Sequence, residues 1–496
     1  MKTLKSLLCS AVMFAMAGAA FANDAINSQS NTLERERDQL QQKQETQPSQ
    51  DDLLRTQQIG HVEKPEWGLS DAELLRQPEK LEKLLAVYLA QGQRKQVAHL
   101  VDLYKQQRIY RDDSLIEWAI AMSHAQTNLR RAIYEYRILT GKFPDNQFIR
   151  YQLATLLFAN QEYDAAEGQF QKLRASSSLT QQDVQVIDDY LNAIARKNKW
   201  NFSLGATFLH DKNLTDQAKV GTTFHIPNTT AVLRQDNPPE QGTGFNFNVN
   251  ASKQWSLPKG QYISLDGSAD MKYYWDNKGF NELSTYGGVS YGYADAKVNV
   301  RVSPYIVKRF KAGGKDASSK LSAYTNTFGT SVAADVWVSP KWKQSASYTF
   351  SRDNYVDDAI DKRHGGKSHS SGFGATYYRS PKQYFGAAMN VSRFDAGAKT
   401  ESYKRYGGRV YWGQEWAKGF VTRSSVGLNE RKYEAPFFNV RRKDKEWNTN
   451  VSLWHKAVHY KGITPRLSWN YYKRKSNIDI FSYDKHMTFI ELDKSF

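Results

Sequence analysis

The sequence predicts an α plus membrane-β chain: a TPR-like helical repeat domain followed by a 14-stranded antiparallel outer-membrane β-barrel. Three observations predict it. A helical packing pattern recurs from Ala132 to Ala166, the ~34-residue period of tetratricopeptide hairpins. From Trp200 onward apolar and polar residues alternate with period two, the mark of strands with one oily face. The charge also breaks near Lys199. Residues 1–199 carry 25 Lys+Arg and 25 Asp+Glu, whereas residues 200–496 carry 43 and 26, so the net +17 belongs to the second part. The chain divides accordingly into residues 1–22, 23–69, 70–198 and 199–496.

Residues 1–22 read as a secretory signal peptide. Lys2 and Lys5 form its positive end, Leu7 to Ala20 its apolar stretch, and Ala20-Phe21-Ala22 a small-x-small site for cleavage after Ala22. The apolar run falls short of the ~20 residues that a spanning helix needs. The one cysteine, Cys9, lies inside this leader, so the mature chain is expected to have no disulfide, thiol nucleophile or thiolate metal site. Residues 23–69 are rich in Gln, Glu, Asp and Ser, can bury little, and read as a flexible polar arm. No later stretch is apolar enough for a membrane helix, so a membrane role requires a barrel.

The helical domain spans 70–198. One repeat reads Ala132-x3-Tyr136-x2-Leu139-x4-Pro144 and the next Tyr163-x2-Ala166-x3-Phe170-x2-Leu173. A small residue lets paired helices approach, and an aromatic one turn later fills the groove beside it. Leu153, Ala154 and Leu157 fit the helix before the second pattern, and Gly92, Val97 or Ala98, Val101 and Tyr104 form a looser early copy. Roughly three repeats over 79–175 and a closing helix from Leu179 to Ala195 follow. An ordinary helical bundle is the plainer alternative. Stacked repeats offer a concave surface that holds a peptide or partner protein.

In the second part, Phe245, Phe247, Val249, Ala251 and Trp255 alternate with Asn246, Asn248, Asn250, Ser252 and Gln254. Apolar faces ending in Trp or Tyr, set against wet opposite faces, fit lipid outside, aromatic girdles and a polar lumen. Fourteen strands are expected at 200–210, 244–257, 261–276, 282–295, 297–310, 320–338, 342–354, 368–379, 383–395, 402–416, 420–433, 445–457, 463–476 and 486–496. Tight turns such as Pro258-Lys259-Gly260, Asp295-Ala296 and Lys418-Gly419 separate them from longer connections at 211–243, 311–319, 355–367 and 434–444. An even count leaves the helical domain and the last residue on the periplasmic side. The long first loop either forms an external flap or folds into the lumen. In the final strand Ile490, Leu492 and Phe496 lie on one face, an expected closure and assembly signal, with Lys494 reaching from the rim to water and headgroups.

By alternation Arg301, Arg405, Arg409, Arg423 and Arg466 face the lumen, where they are expected to guide an anionic or polar passenger. Arg441-Arg442-Lys443 and Lys473-Arg474-Lys475 lie toward the external end, placed to neutralise lipopolysaccharide phosphates. Basic residues spread around an exported barrel argue against nucleic acid as a partner. His210, His225, His364, His369, His455, His459 and His486 are scattered without metal-ligand spacing. No catalytic, cofactor or metal site is expected, and the chain does not read as an enzyme.

A signal peptide, a polar arm, about three TPR-like repeats and a fourteen-stranded barrel ending in Phe496 together resemble the Slam family, the surface lipoprotein assembly modulators or type XI secretion translocons. The resemblance covers essentially the mature chain and rests on architecture. It implies an outer-membrane translocon that helps a client, a surface lipoprotein or secreted haemophore-like protein, across the membrane. A small barrel domain at the client's own C-terminus would serve for recognition. The repeats would receive the client from periplasmic chaperones. The barrel would be built by the barrel-assembly machinery, which reads the last strand, and would sit among lipopolysaccharide and outer-membrane lipid. The main rival is an exopolysaccharide export porin, which also joins TPR repeats to a barrel and would match a basic lumen to an anionic polymer. A simple uptake porin is the third reading.

Overall fold

The computed structural model describes Ile59 and residues 68–496, apart from 108–111, 177–178, 229, 231, 314–318, 340, 381, 459–462 and 496. The expected signal peptide with Ala20 and Ala22, nearly all of the arm, and Phe496 therefore lie outside the described residues. So do Pro340, Pro381, Lys461 and Gly462 of the expected turns, Gly314 and His459.

The first half is helical: α1 (Asp71–Leu75), α2 (Pro78–Ala90), α3 (Arg94–Tyr104), α4 (Asp113–Thr127), α5 (Leu129–Lys142), α6 (Gln147–Ala159), α7 (Tyr163–Arg174) and α8 (Gln181–Lys197). Local chemistry sets the starts. Pro78 opens α2 with its φ already fixed for a helix. Asp112 Oδ1 accepts from the Ser114 N–H at 2.8 Å, and Asn146 Oδ1 accepts from Phe148 and Ile149. Thr180 and Asp183 form a reciprocal capping box ahead of α8. Successive helices pair as α2–α3, α4–α5 and α6–α7, with α8 closing the stack.

Ala132, Tyr136, Leu139, Ala166, Phe170 and Leu173 are all buried in the resulting core, Tyr163 packs at its edge, and Pro144 is exposed just beyond the end of α5. Phe170 stacks on Tyr190 of the closing helix at 4.5 Å, Tyr151 meets both rings edge-on, and Phe158 meets Tyr190 edge-on. Gln152 unites the stack. Its Oε1 accepts from Trp118 Nε1 at 2.8 Å and from Tyr136 at 2.5 Å, while its Nε2 donates to the Leu89 carbonyl at 2.8 Å. One side chain thus joins three helical hairpins.

The second half is a closed antiparallel barrel of fourteen strands: β1 (Asn201–Asp211), β4 (Gly242–Ser256), β5 (Gln261–Tyr274), β6 (Glu282–Ala294), β7 (Val298–Lys311), β8 (Ser322–Ser339), β9 (Trp342–Tyr355), β10 (Gly366–Ser380), β11 (Gln383–Ala396), β12 (Tyr403–Glu415), β13 (Phe420–Phe437), β14 (Val440–His455), β15 (Ile463–Ser476) and β16 (Tyr483–Ser495). Each strand pairs with its sequence neighbour, and β1 meets β16 at the seam. A separate small hairpin, β2 (Thr223–His225) with β3 (Val232–Arg234), stands in the first long loop. A further helix, α9 (Asp358–His364), sits in the loop after β9.

Burial around the barrel is inverted relative to a water-soluble sheet. Phe247 is 47% exposed, whereas its neighbours Asn246 and Asn248 are 3% and 8% exposed. Apolar side chains point outward all round, and polar ones point into the barrel. An antiparallel sheet closed in this way leaves no backbone edge to meet lipid. Lumen tyrosines lie flat on glycines of the next strand: a Cβ at Gly413 would come within 2.2 Å of the Tyr384 ring, so only glycine fits there.

One expected loop is absent. Residues 434–444 do not form a long connection. β13 runs to Phe437, β14 starts at Val440, and Phe438 and Asn439 make a two-residue turn with φ 44° and 65°. Arg441-Arg442-Lys443 therefore belong to a strand. Basic side chains on both faces of this hairpin hide the alternation that a strand normally shows.

Candidate functional site: lumen wall, seam and docked repeats

Arg405, Arg423 and Arg466 are buried inside the barrel, and Arg301 and Arg409 are partly buried there. They do not form an open basic lining. Glu446 on β14 is 1% exposed and lies 2.7 Å from Arg405, 3.0 Å from Arg431 and 3.5 Å from Arg474. Asp444, one step along the same face, holds Arg442 at 2.7 Å. Aromatic rings cover the guanidiniums: Tyr403 under Arg431 at 4.6 Å, Phe481 under Arg442 at 3.7 Å and Tyr483 under Arg474 at 5.1 Å. Further down, Arg423 and Arg466 each stand 5.1 Å over Trp454, and Arg466 pairs with Glu491 of β16 at 3.3 Å. Arg409 stands 5.6 Å over Tyr411. Arg301 faces Gly292 and Ala333 across its strand pairs. All five arginines expected to line the lumen lie on its side of the wall, and two of them, Arg405 and Arg466, are paired there with carboxylates. Arg405 and Arg466 spend their charge on carboxylates of the wall, because a buried guanidinium without a counter-ion is too costly.

The seam is the thinly paired place in the ring. Among the described residues β1 and β16 pair from Ser203–Ser495 to Thr207–Glu491, five residue pairs, whereas β1 pairs with β4 over eleven. Ile490 and Leu492 point outward from β16, and Phe489 points in and is buried. Beyond Thr207 the strands are joined by side chains. Lys485 of β16 reaches Asp211 of β1 at 3.3 Å and Asp216 of the first loop at 2.6 Å. The β2–β3 hairpin packs against residues 479–481, so the first loop lies over the outer end of the seam.

The helical domain is fastened at the opposite, short-turn end. Arg130, at the start of α5, bonds to the Asp295 carboxylate and, at 2.7 Å, to Tyr293. Gln161 donates to the Asp295 carbonyl at 2.5 Å. Asn198 Oδ1 accepts from the N–H and the hydroxyl of Ser256, and α7 packs on the turn Pro258–Gly260. Burial alone would raise the Asp295 carboxyl. The N–H groups of Lys297 and Val298, the Tyr293 hydroxyl and Arg130 outweigh it and hold it below the usual carboxylate range. A depressed folded-state value means that this contact stabilises docking above the ordinary carboxylate range and loses that effect as pH falls through the lowered value. Limited proteolysis of the helical domain should therefore be unchanged from pH 8 to pH 5 and accelerate only in stronger acid. Asp295→Asn should show the faster cleavage already at pH 7.

The remaining histidines sit apart from this machinery. His369 bonds to Tyr348 at 2.8 Å, His486 stacks on Tyr471 at 4.6 Å, and His210 contacts Thr243 at 3.1 Å. Arg431, Glu446 and Asp444 escape the sequence reading, and Arg442 and Arg474, read there as external cations, turn into the wall instead. Continuing the alternation of β13 and β14 through the basic hairpin would have found them.

An apolar outer belt, a wet lumen and a repeat domain fixed under the short turns define an outer-membrane β-barrel with a periplasmic helical domain. Comparison with known proteins then gives the family. Residues 200–496 match the family described as Surface lipoprotein assembly modifier, and residues 67–170 match its N-terminal TPR repeats. The chain is 32% identical over 433 residues to surface lipoprotein assembly modifier 1 of Haemophilus influenzae, covering 86% of this chain and 87% of the relative. It is 29% identical to the surface lipoprotein assembly modifier of Pasteurella multocida (86% and 85% covered) and 24% identical to the hemophilin secretion modulator of Acinetobacter baumannii (84% and 86%). The chain belongs to the surface lipoprotein assembly modifier family.

Proposed function

We propose that this barrel is a translocon that delivers a surface lipoprotein or a secreted haem-binding-type protein across the outer membrane. The fastening of the repeat domain beneath the turns after β4 and β6 carries this reading, because stacked repeats, which commonly hold peptides or partner proteins, then stand at the short-turn mouth next to the seam. The names of the relatives, which speak of lipoprotein assembly and hemophilin secretion, support it. In this reading the repeats take an incompletely folded client from periplasmic chaperones, and the client leaves through the lumen or through the β1–β16 seam. No nucleotide is needed: folding of the client outside gives direction. The work is binding and passage rather than bond cleavage.

The polysaccharide-export reading leaned on a free basic lumen, and the pairing of Arg405 with Glu446 and of Arg466 with Glu491 takes two of its five arginines out of that argument. Co-expression of the protein with the lipoprotein or haem-binding product of a neighbouring gene tests the proposal. Protease shaving of whole cells should reveal the client at the surface with this chain present and much less without it. Equal exposure for every candidate client would sink the reading.

A further inference from the structure

The outward face of β11–β15 carries a ladder of cations that neither the lumen nor the repeat domain uses. Arg393 lies directly opposite Lys404, Lys404 opposite Lys432, and Lys432 opposite Lys443. A second row begins one outward position along, with Lys445 opposite Lys475, and Lys473 stands between Trp447 and Asp484. All six lysines are exposed. Like charges directly opposite one another destabilise a sheet unless an anion joins them. The carboxylates present are fewer than the cations. Glu430 pairs with Lys432 at 2.8 Å and lies opposite Lys445, Asp395 and Glu434 pair with Arg393 at 2.8 and 3.6 Å, and Asp484 faces Lys473 across the strand pair.

Height identifies the missing anion. On β15 the outward residues are Leu467, Trp469, Tyr471, Lys473 and Lys475 in order. At ~3.4 Å per residue along a strand tilted by ~35–45°, Lys473 stands about 5 Å and Lys475 about 11 Å above the level of Tyr471. Trp469 and Tyr471 stack on each other at 6.3 Å, and Tyr471 stacks on His486 at 4.6 Å, which marks the aromatic girdle at the outer interface. The lysines therefore lie at headgroup depth. The far wall differs. At the outer ends of β1 and β4–β6 the outward residues are His210, Thr243, Tyr273 and Leu283. Outward cations continue beyond β11 at Lys367 and Arg352, which lie opposite each other on β10 and β9, and at Lys308 on β7, so they occupy the β7–β15 side and leave the outer ends of β1 and β4–β6 without one.

We infer that this face binds the phosphates of an outer-leaflet glycolipid, the lipid class whose headgroup carries more than one phosphate. Two rows, one strand repeat apart, suit two phosphates on one headgroup, with the acyl chains lying on Trp469, Leu467 and Val451 below. The site is independent of the cargo that the barrel carries, so it stands or falls apart from the export reading.

The test uses the full chain in detergent, with lipid A bisphosphate as the probe and native mass spectrometry and isothermal titration as readouts. The quadruple variant Lys404→Gln, Lys432→Gln, Lys443→Gln, Lys445→Gln should bind at least tenfold more weakly. Heat-modifiable migration should confirm that it is folded. The matching four Lys→Arg changes keep the charge and should retain binding, and Lys308→Gln on β7 should change nothing. Fully dephosphorylated lipid A should bind the native chain as weakly as the quadruple variant binds the bisphosphate. Unchanged binding in the quadruple variant would overturn the proposal. So would equal displacement of the lipid by inorganic phosphate alone, or tighter binding of an acidic peptide than of lipid A bisphosphate, which would make the face a protein-docking surface.

Discussion

Replacing Glu446 by glutamine is expected to cost this barrel much of its stability. The carboxylate neutralises Arg405, Arg431 and Arg474 at 2.7, 3.0 and 3.5 Å from a nearly inaccessible position. Removing one partner of a buried ion pair typically costs ~3–5 kcal/mol, because the other charge stays buried without compensation. Here three guanidiniums on three different strands lose the same partner. Unheated electrophoresis should show less of the compact form, and the urea midpoint should drop by roughly 1–5 M if the slope is that of a small domain, ~1–3 kcal/mol per M. The double replacement Arg405→Leu with Glu446→Leu should recover part of the loss, since the cost lies in the orphaned charge. A Glu446→Gln chain with native migration and midpoint would show that the cluster does not hold the wall together.

Locking the seam is expected to abolish export if the client leaves by that route. Ala206 and Leu492 face each other across β1 and β16. Cysteines at both positions would form a cross-strand bridge in the oxidising periplasm, and the one native cysteine, Cys9, lies in the expected leader. Surface delivery of the client should fall at least tenfold in the oxidised form and recover on reduction. Export that persists with the bridge formed would assign the passage to the lumen. The five-pair seam makes the first outcome the expected one, since fewer ladder bonds must part there than at β1–β4.

Both halves of the fold are legible in the residues. The spacing from Ala132 to Ala166 marks the hairpins, and the alternation from Phe245 to Trp255 marks a membrane strand. The features that define the site are less so, for physical reasons. Glu446 answers Arg405 from two strands away, and no local pattern carries that register. Gln152 is one polar residue in an apolar helix, and its three partners come together only when the hairpins stack. The β13–β14 hairpin reads as a loop because its outward lysines and inward arginines are equally hydrophilic. Helix α9 is too short to show a period within its polar loop.

The placement of the dock has a mechanical consequence. Among the described residues, Arg130, Gln161 and Asn198 fasten the helical domain to β4 and to the turns after β4 and β6, one sector of the rim beside the seam. Gln152 ties the hairpins into a single stiff arm. Such an arm is hinged like an awning from one side of a doorway. If a client hangs on its free end, as proposed above, the load would be felt as torque on the strands next to the seam, and binding would then pull on the wall at its least-paired join.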